Sequence, residues 1–100
     1  MPGFSTRAIR AAGRIPDTPQ PPVNVPIFAS STFEVADAAE LAELLEFTRP
    51  GHSYSRHSNP TLDSLERALA DLEEGEAALV TASGMAAAHA AVLSVLRSGD

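Results

Sequence analysis

The sequence predicts an α/β chain on three observations. Apolar residues recur at helical spacing in three segments, a short apolar run precedes the last of them, and a proline-rich stretch comes before all three. The chain has 100 residues, 44% of them apolar, so it holds one domain at most. Because alanine supplies much of the apolar content, we expect helices beside a strand with a thin core.

Residues 1–36 are predicted to form an extended N-terminal arm. Five prolines lie between positions 16 and 26, and each fixes its own φ and biases the preceding residue toward an extended conformation. The arm is expected to dock on another surface, because four apolar anchors follow most of these prolines: Val23, Val25, Ile27 and Phe28.

The charge distribution argues against a nucleic-acid partner. The formal net charge is −6, whereas phosphate-backbone binding needs a basic face. Arg7, Arg10 and Arg14 precede the first acidic residue, Asp17, which suits either an organelle transit peptide or a surface arm, and the prolines that follow favour the arm. With no apolar run of membrane-spanning length and no cysteine, we expect a cytoplasmic protein without a membrane partner.

Residues 37–100 are predicted to begin a larger domain in the order helix, loop, helix, strand, helix. The first helix covers 37–47, where Asp37 can act as N-cap and Glu40 can complete a capping pair. Leu41, Leu44 and Leu45 give this helix one apolar stripe.

The second helix is predicted to begin at Pro60 after an Asn59 cap, and Gly75 is expected at the C′ position beyond its end. Its apolar stripe is expected to consist of Leu62, Leu65, Leu69 and Leu72. A short strand over 76–81 and a third helix over 86–97 complete the prediction.

The turn between the strand and the third helix is a candidate anion site. The first backbone N–H groups of a helix lack intrahelical partners and lie at the positive end of its dipole. Gly84 would let an anion approach the backbone, and Ser83 offers a hydroxyl as N-cap or as an additional donor. An ordinary capped helix fits the same residues. The absence of lysine excludes a Walker motif, and there is no G-x-G-x-x-G.

Tyr54 and Arg56, in the loop sequence "YSRHSNPT", form a second candidate anion contact. A spacing of two in an extended loop points both side chains to one side, where a guanidinium and a phenol can grip one phosphate. A solvated arginine and a packing tyrosine fit equally well. His52 and His89 are expected to be solvated or packed, without a metal-ligand pattern.

Together the two motifs resemble a known family. "YSRHSNPT" has the pattern Tyr-x-Arg-x-x-Asn-Pro-Thr, and "TASGMAA" begins 20 residues after Thr61. In this order they closely resemble the N-terminal part of the Cys/Met-metabolism (trans-sulfuration) family of pyridoxal-5′-phosphate enzymes, such as cystathionine γ-synthase, cystathionine γ-lyase and methionine γ-lyase. "STRAI", "VPI" and "SSTF" resemble that family's N-terminal arm, so the likeness covers essentially the whole chain.

The resemblance implies a fold and a cofactor. The chain would be the N-terminal arm and the start of the large domain of a fold-type I (aspartate aminotransferase-like) enzyme. Gly84 and Met85 would donate backbone N–H groups to the phosphate of pyridoxal 5′-phosphate, with Ser83 beside them. Tyr54 and Arg56 would reach the phosphate held by a neighbouring subunit of a homodimer or homotetramer with a shared active site.

The absence of lysine bears on activity. Family members hold the cofactor as a Schiff base to a lysine, and no residue of this sequence can replace it. We therefore expect a segment without catalytic residues of its own and inactive by itself, taken from an enzyme of γ-elimination or γ-replacement on cystathionine, methionine or O-acylhomoserine-type substrates. Two alternatives stay open: a stand-alone interaction module, and a binder of other phosphate esters through Ser83, Gly84 and Arg56.

Overall fold

The computed structural model describes residues 1–10, 19–20 and 22–100, and it contains four helices within these ranges. They are α1 (Phe4–Arg10), α2 (Ala38–Leu45), α3 (Pro60–Leu72) and α4 (Gly84–Val95). The predictions made for Arg14, Asp17 and the prolines at 16 and 21 lie outside the described residues.

The first part of the arm is helical, so the prediction of an extended arm is wrong over Phe4–Arg10. The prolines that predicted extension begin at position 16, and none interrupts this segment. The helix lies against α3, where Arg7 Nε donates to the Asp71 carboxylate at 3.1 Å and the same guanidinium donates to the Asp71 carbonyl oxygen. Because the last carbonyls of a helix lack intrahelical partners, Arg7 satisfies one of them at the end of α3.

The second part of the arm, residues 22–33, has no helix and is attached to the start of α3. Phe28 N–H donates to Thr61 Oγ1 at 2.9 Å, and Thr61 Oγ1 donates to the Pro26 carbonyl oxygen at 3.3 Å. Among the expected apolar anchors, Val25 and Phe28 are half-buried, whereas Val23 and Ile27 are exposed. The predicted docking therefore takes place through backbone groups as well as side chains.

The capping pair predicted for α2 is confirmed. Glu40 N–H donates to Asp37 Oδ1 at 2.8 Å, and the Glu40 carboxylate accepts from the N–H of Ala36, the residue before the cap, at 2.6 Å. The helix ends two residues before the predicted position 47, because Phe47 adopts φ 55° and turns the chain out of the helix.

The predicted start of α3 is confirmed, whereas the prediction of Gly75 as its C′ residue is wrong. Asn59 caps the helix and Pro60 is its first residue. At the other end, Glu74 with φ 55° occupies the left-handed C′ position, while Gly75 N–H donates to the Ala70 carbonyl oxygen at 2.8 Å. Gly75 is therefore the C″ residue of a Schellman motif, one position later than predicted.

The leucine stripe of α3 is not its buried face. Leu62, Leu65 and Leu69 are 39%, 46% and 40% exposed and Leu72 is half-buried, whereas Ser64 and Ala68 are buried. These two small residues lie on the same side as Thr61 and Asp71, which contact the arm and α1. The buried face of α3 is therefore the one that contacts the arm and α1, and it lies beside the leucine stripe.

The predicted strand over 76–81 is wrong for the described chain. A strand requires a backbone ladder with a neighbour, and the pairing present within residues 22–100 is an isolated antiparallel bridge between Thr32 and Tyr54. The third predicted helix, α4, begins at Gly84 instead of position 86 and ends at Val95. None of the helices in the described ranges is long and apolar enough to cross a membrane.

Candidate anion-binding site

The start of α4 has the geometry of an anion-binding helix terminus. Ser83 is the N-cap: its Oγ accepts from Ala86 N–H at 3.1 Å, and its carbonyl oxygen accepts from Ala87 N–H at 3.1 Å. The N–H groups of Ser83, Gly84 and Met85 precede the first intrahelical bond, so the helix itself gives them no partner. They lie at the positive end of a 12-residue helix.

Gly84 leaves space in front of these donors. A Cβ built at this position meets no heavy atom within 4 Å, and its backbone has no positive φ that would demand glycine. Packing within the described chain therefore does not require glycine at position 84. The open space is where an anion could approach the N–H groups.

The turn before α4 is fixed by its own residues. Thr81 Oγ1 donates to the Ser83 carbonyl oxygen at 2.8 Å, across the bend that leads into the helix. This bond joins the extended apolar segment to the capping residue, so the direction of the segment determines the direction of the first N–H groups of α4.

Tyr54 and Arg56 are brought together by a turn and not by the extended loop that the spacing predicted: His57 N–H donates to the Tyr54 carbonyl oxygen at 2.9 Å. The guanidinium carbon of Arg56 lies 5.1 Å from the centre of the Tyr54 ring, a cation–π arrangement. Both side chains are exposed. Within the described ranges, Arg56 forms no ion pair, whereas Arg7, Arg49 and Arg67 each pair with a carboxylate. Arg56 is therefore free to meet an external anion.

Backbone pairing with the arm holds the loop that carries Tyr54. Phe33 N–H donates to the Ser53 carbonyl oxygen at 3.0 Å, and Ser55 N–H donates to the Ser31 carbonyl oxygen at 2.8 Å. Ser55 Oγ adds a bond to the Ser30 carbonyl oxygen at 2.5 Å. The loop is thus attached to the arm on both sides of Tyr54.

The Asn-Pro-Thr part of the motif has a role that the sequence did not reveal. The Asn59 side chain caps α3 by accepting from Thr61 N–H at 2.9 Å, and its amide donates to the Phe28 carbonyl oxygen at 3.1 Å and to Ser55 Oγ at 2.9 Å. Asn59 is 6% exposed, so these bonds are shielded from water. An asparagine directly before a proline that starts a helix is the signal that the sequence offers, and it predicts the cap but not the bonds to Phe28 and Ser55.

His52 is a packed residue, one of the two outcomes expected for it. Its Nδ1 lies 2.9 Å from Ser58 Oγ, its Nε2 lies 3.6 Å from the Asp63 carboxylate, and its ring contacts that of Phe33 at 5.4 Å. These contacts attach the loop before Tyr54 to α3. His89 lies on exposed α4, with Nδ1 3.1 Å from the Met85 carbonyl oxygen.

The two groups of predicted site residues are not bonded to each other within one chain. No hydrogen bond or ion pair in residues 22–100 joins Tyr54 or Arg56 to residues 83–85. A cavity of about 650 Å³ lies elsewhere, between α1 and the C-terminal end of α3, and contains none of these residues.

A helix start with open backbone donors, and an exposed arginine that forms no ion pair within the described residues, are both suited to bind an anion. Residues 5–100 match the sequence model described as Cys/Met metabolism PLP-dependent enzyme, and the chain belongs to this family. The family is pyridoxal-phosphate-dependent by its description.

Individual relatives agree with this assignment. The chain is 41% identical over 100 residues to L-methionine gamma-lyase of Pseudomonas putida, covering all of this chain and 25% of that protein. It is 45% identical over 98 residues to cystathionine gamma-synthase of Mycobacterium leprae, covering 98% of this chain and 23% of the relative. The chain therefore spans about a quarter of the length of these relatives.

Two solved structures match the fold over the whole chain. The metB structure from Corynebacterium glutamicum superposes with a TM-score of 0.82 at 37% identity, with 24% of its own chain covered. The metY structure from Campylobacter jejuni superposes with a TM-score of 0.88 at 32% identity, also with 24% covered, and it carries N′-pyridoxyl-lysine-5′-monophosphate.

Proposed function

We propose that this chain supplies the cofactor-phosphate contacts of a pyridoxal-5′-phosphate enzyme of sulfur amino-acid metabolism. The observation that carries the proposal is the open, glycine-started helix terminus at Ser83, Gly84 and Met85 in a chain of a pyridoxal-phosphate-dependent family. The reaction class is γ-elimination or γ-replacement on cystathionine, methionine or O-acylhomoserine-type substrates, in line with the names of its relatives.

The residues at the start of α4 fit a phosphate ester. The N–H groups of Gly84 and Met85 are donors with space before them, and the Ser83 hydroxyl can still donate its proton while its oxygen caps the helix. Backbone donors at a helix start favour a doubly charged group over a neutral one. The chemistry supplied by the bound cofactor is electron withdrawal from the amino-acid substrate.

Tyr54 and Arg56 are proposed to complete the phosphate site of a sister protomer. Support comes from two observations: Arg56 has no ion-pair partner within the described residues, and no hydrogen bond connects this pair with the start of α4 in its own chain. An exposed guanidinium and phenol, held on a loop that is fixed to the arm, are suited to bridge an interface. The active site would then be shared in a homodimer or homotetramer.

The proposal extends to the organisation of the chain. Residues 1–36 would form an arm with dimer contacts, now including α1, and residues 37–100 would begin the cofactor-binding large domain. A cytoplasmic location is proposed with it. Because the sequence has no lysine, the 100 residues alone are proposed to be inactive.

The test is the cofactor affinity of the full gene product after Arg56→Ala. Loss of a charge-assisted contact should weaken pyridoxal-5′-phosphate binding by about 10- to 100-fold, and pyridoxal, which lacks the phosphate, should bind as before. Arg97→Ala is the matched control, because Arg97 is also exposed and forms no ion pair within the described residues. Equal affinities for the cofactor in the Arg56→Ala variant and in the wild type would contradict the proposal.

A further inference from the structure

Glu66 is the contact between α3 and the segment that leads into α4. Its Oε1 accepts a hydrogen bond from Val80 N–H at 2.9 Å, and Glu66 is half-buried. Within residues 22–100, this is the one hydrogen bond that joins residues 76–100 to the chain before them. A carboxylate acceptor makes such a bond stronger than a neutral one.

The position of α4 depends on this contact because α4 buries none of its residues against the rest of the described chain. Every residue of α4 is exposed, and the helix carries no charged residue that could pair with the rest of the chain. Four residues beyond Val80 the helix begins, and the Thr81 bond to the Ser83 carbonyl oxygen at 2.8 Å spans the intervening bend. One hydrogen bond therefore fixes Val80 to Glu66, and a second fixes Thr81 to the carbonyl group of Ser83, the residue directly before α4.

The same helix α3 also supports the other candidate contact. Asn59, at its N-terminal end, bonds to Ser55 Oγ at 2.9 Å in the loop of Tyr54 and Arg56. Glu66 lies two turns further along, on the same rigid element. The start of α3 thus holds the loop of Tyr54 and Arg56, and the middle of α3 holds the segment before α4.

We infer that Glu66 is a positioning residue for the phosphate site, acting through Val80 on the direction of the Gly84 and Met85 N–H groups. The inference rests on the proposed function, since it assigns the phosphate to those groups. Glu66 does not contact the phosphate itself: it directs the segment that presents the donors. A misdirected helix start would weaken binding of pyridoxal 5′-phosphate selectively, because pyridoxal lacks the phosphate that these N–H groups would bind.

The experiment compares Glu66→Ala and Glu66→Gln in the full gene product, using pyridoxal 5′-phosphate and pyridoxal as probes in equilibrium dialysis. Glu66→Ala should weaken pyridoxal 5′-phosphate by about tenfold and pyridoxal by less than about twofold. Glu66→Gln keeps an oxygen acceptor and should restore most of the affinity. Glu73→Ala, an exposed glutamate at the end of the same helix, is the control and should match the wild type.

Amide exchange provides a readout that is independent of the cofactor. In the cofactor-free protein, peptides covering residues 77–83 should exchange faster in Glu66→Ala than in the wild type, and Glu66→Gln should resemble the wild type. Unchanged exchange, equal weakening of both probes, or a Gln variant as impaired as the Ala variant would overturn the inference.

The two proposals fail in different ways. If Arg56→Ala weakens pyridoxal 5′-phosphate while Glu66→Ala does not, the inference about Glu66 is wrong and the proposed function stands. If the wild type itself binds pyridoxal as tightly as pyridoxal 5′-phosphate, the chain has no phosphate site and both are overturned.

Discussion

The side-chain amide nitrogen of Asn59 lies 3.1 Å from the carbonyl oxygen of Phe28, so the residue that starts α3 also holds the arm. The same side chain accepts from Thr61 N–H at 2.9 Å as the helix cap. One buried amide therefore connects three parts of the chain: the arm, the loop that carries Tyr54, and α3. The position of the loop that carries Tyr54 and Arg56 depends on this amide.

Removing the Asn59 side chain should destabilise the protein through both roles. Asn59→Ala deletes a cap worth about 1 kcal/mol and two shielded hydrogen bonds of about 1 kcal/mol each, so we expect a loss of about 2–3 kcal/mol in the free energy of unfolding. Urea-induced unfolding of the full gene product measures it.

The control for this prediction separates the two roles. Asn59→Ser retains a capping oxygen but cannot reach the Phe28 carbonyl oxygen, so its loss should be smaller by about 1 kcal/mol. Substitution of the exposed Asn24 by alanine should change the free energy of unfolding by less than about 0.5 kcal/mol. A loss in Asn59→Ser equal to that in Asn59→Ala would show that the amide bonds to Phe28 and Ser55, and not the cap, carry the stability.

Glu74→Gly should stabilise the protein. Glu74 adopts φ 55° at the C′ position of α3, where glycine is free of steric cost. We expect a gain of about 0.5–1 kcal/mol, reduced in part by the greater freedom of glycine in the unfolded chain. Thermal unfolding midpoints provide the measurement. Glu73→Gly is the control, because Glu73 has φ −87° and should gain nothing; equal gains at both positions would contradict the explanation.

Gly84→Ala should separate fold stability from phosphate binding. The added Cβ meets no atom within 4 Å, and alanine favours helix formation, so the thermal unfolding midpoint of the cofactor-free protein should be equal or higher. The methyl group would fill the space in front of the first N–H groups of α4, so affinity for pyridoxal 5′-phosphate should fall by at least about tenfold. Unchanged affinity for the cofactor would exclude this helix terminus as the phosphate site.

Mixed dimers should reveal whether the site is shared between protomers. When Arg56→Ala and Gly84→Ala proteins are unfolded together and refolded, a mixed dimer contains one intact site if Arg56 acts across the interface. About a quarter of the wild-type number of tight cofactor sites should return for random mixing. Return of no tight sites would mean that Arg56 and Gly84 act within the same chain.

The sequence was informative about local structure and less so about long-range contacts. Asp37, Asn59 and Ser83 were predicted as caps or candidate caps, and each fulfils that role, because a cap depends on residues within one helical turn. The prolines from position 16 onward predict an extended arm and give no information about α1, whose docking depends on the distant Asp71.

The strand over 76–81 fails for a related reason. Its apolar run is typical of a buried strand, but a strand requires a neighbouring strand to bond with. Within residues 22–100, the backbone N–H of Val80 donates to the side chain of Glu66 and not to a neighbouring strand. The family resemblance is confirmed by the match over residues 5–100, whereas the roles of Tyr54, Arg56, Ser83, Gly84 and Met85 stay predictions.

The most direct test of the central claim is a crystal structure of the full gene product with pyridoxal 5′-phosphate. The account predicts phosphate oxygens about 3 Å from the backbone nitrogens of Gly84 and Met85, with Tyr54 and Arg56 of the neighbouring protomer on the same phosphate. A phosphate bound away from the start of α4, or contacted by neither Tyr54 nor Arg56 of any protomer, would contradict it.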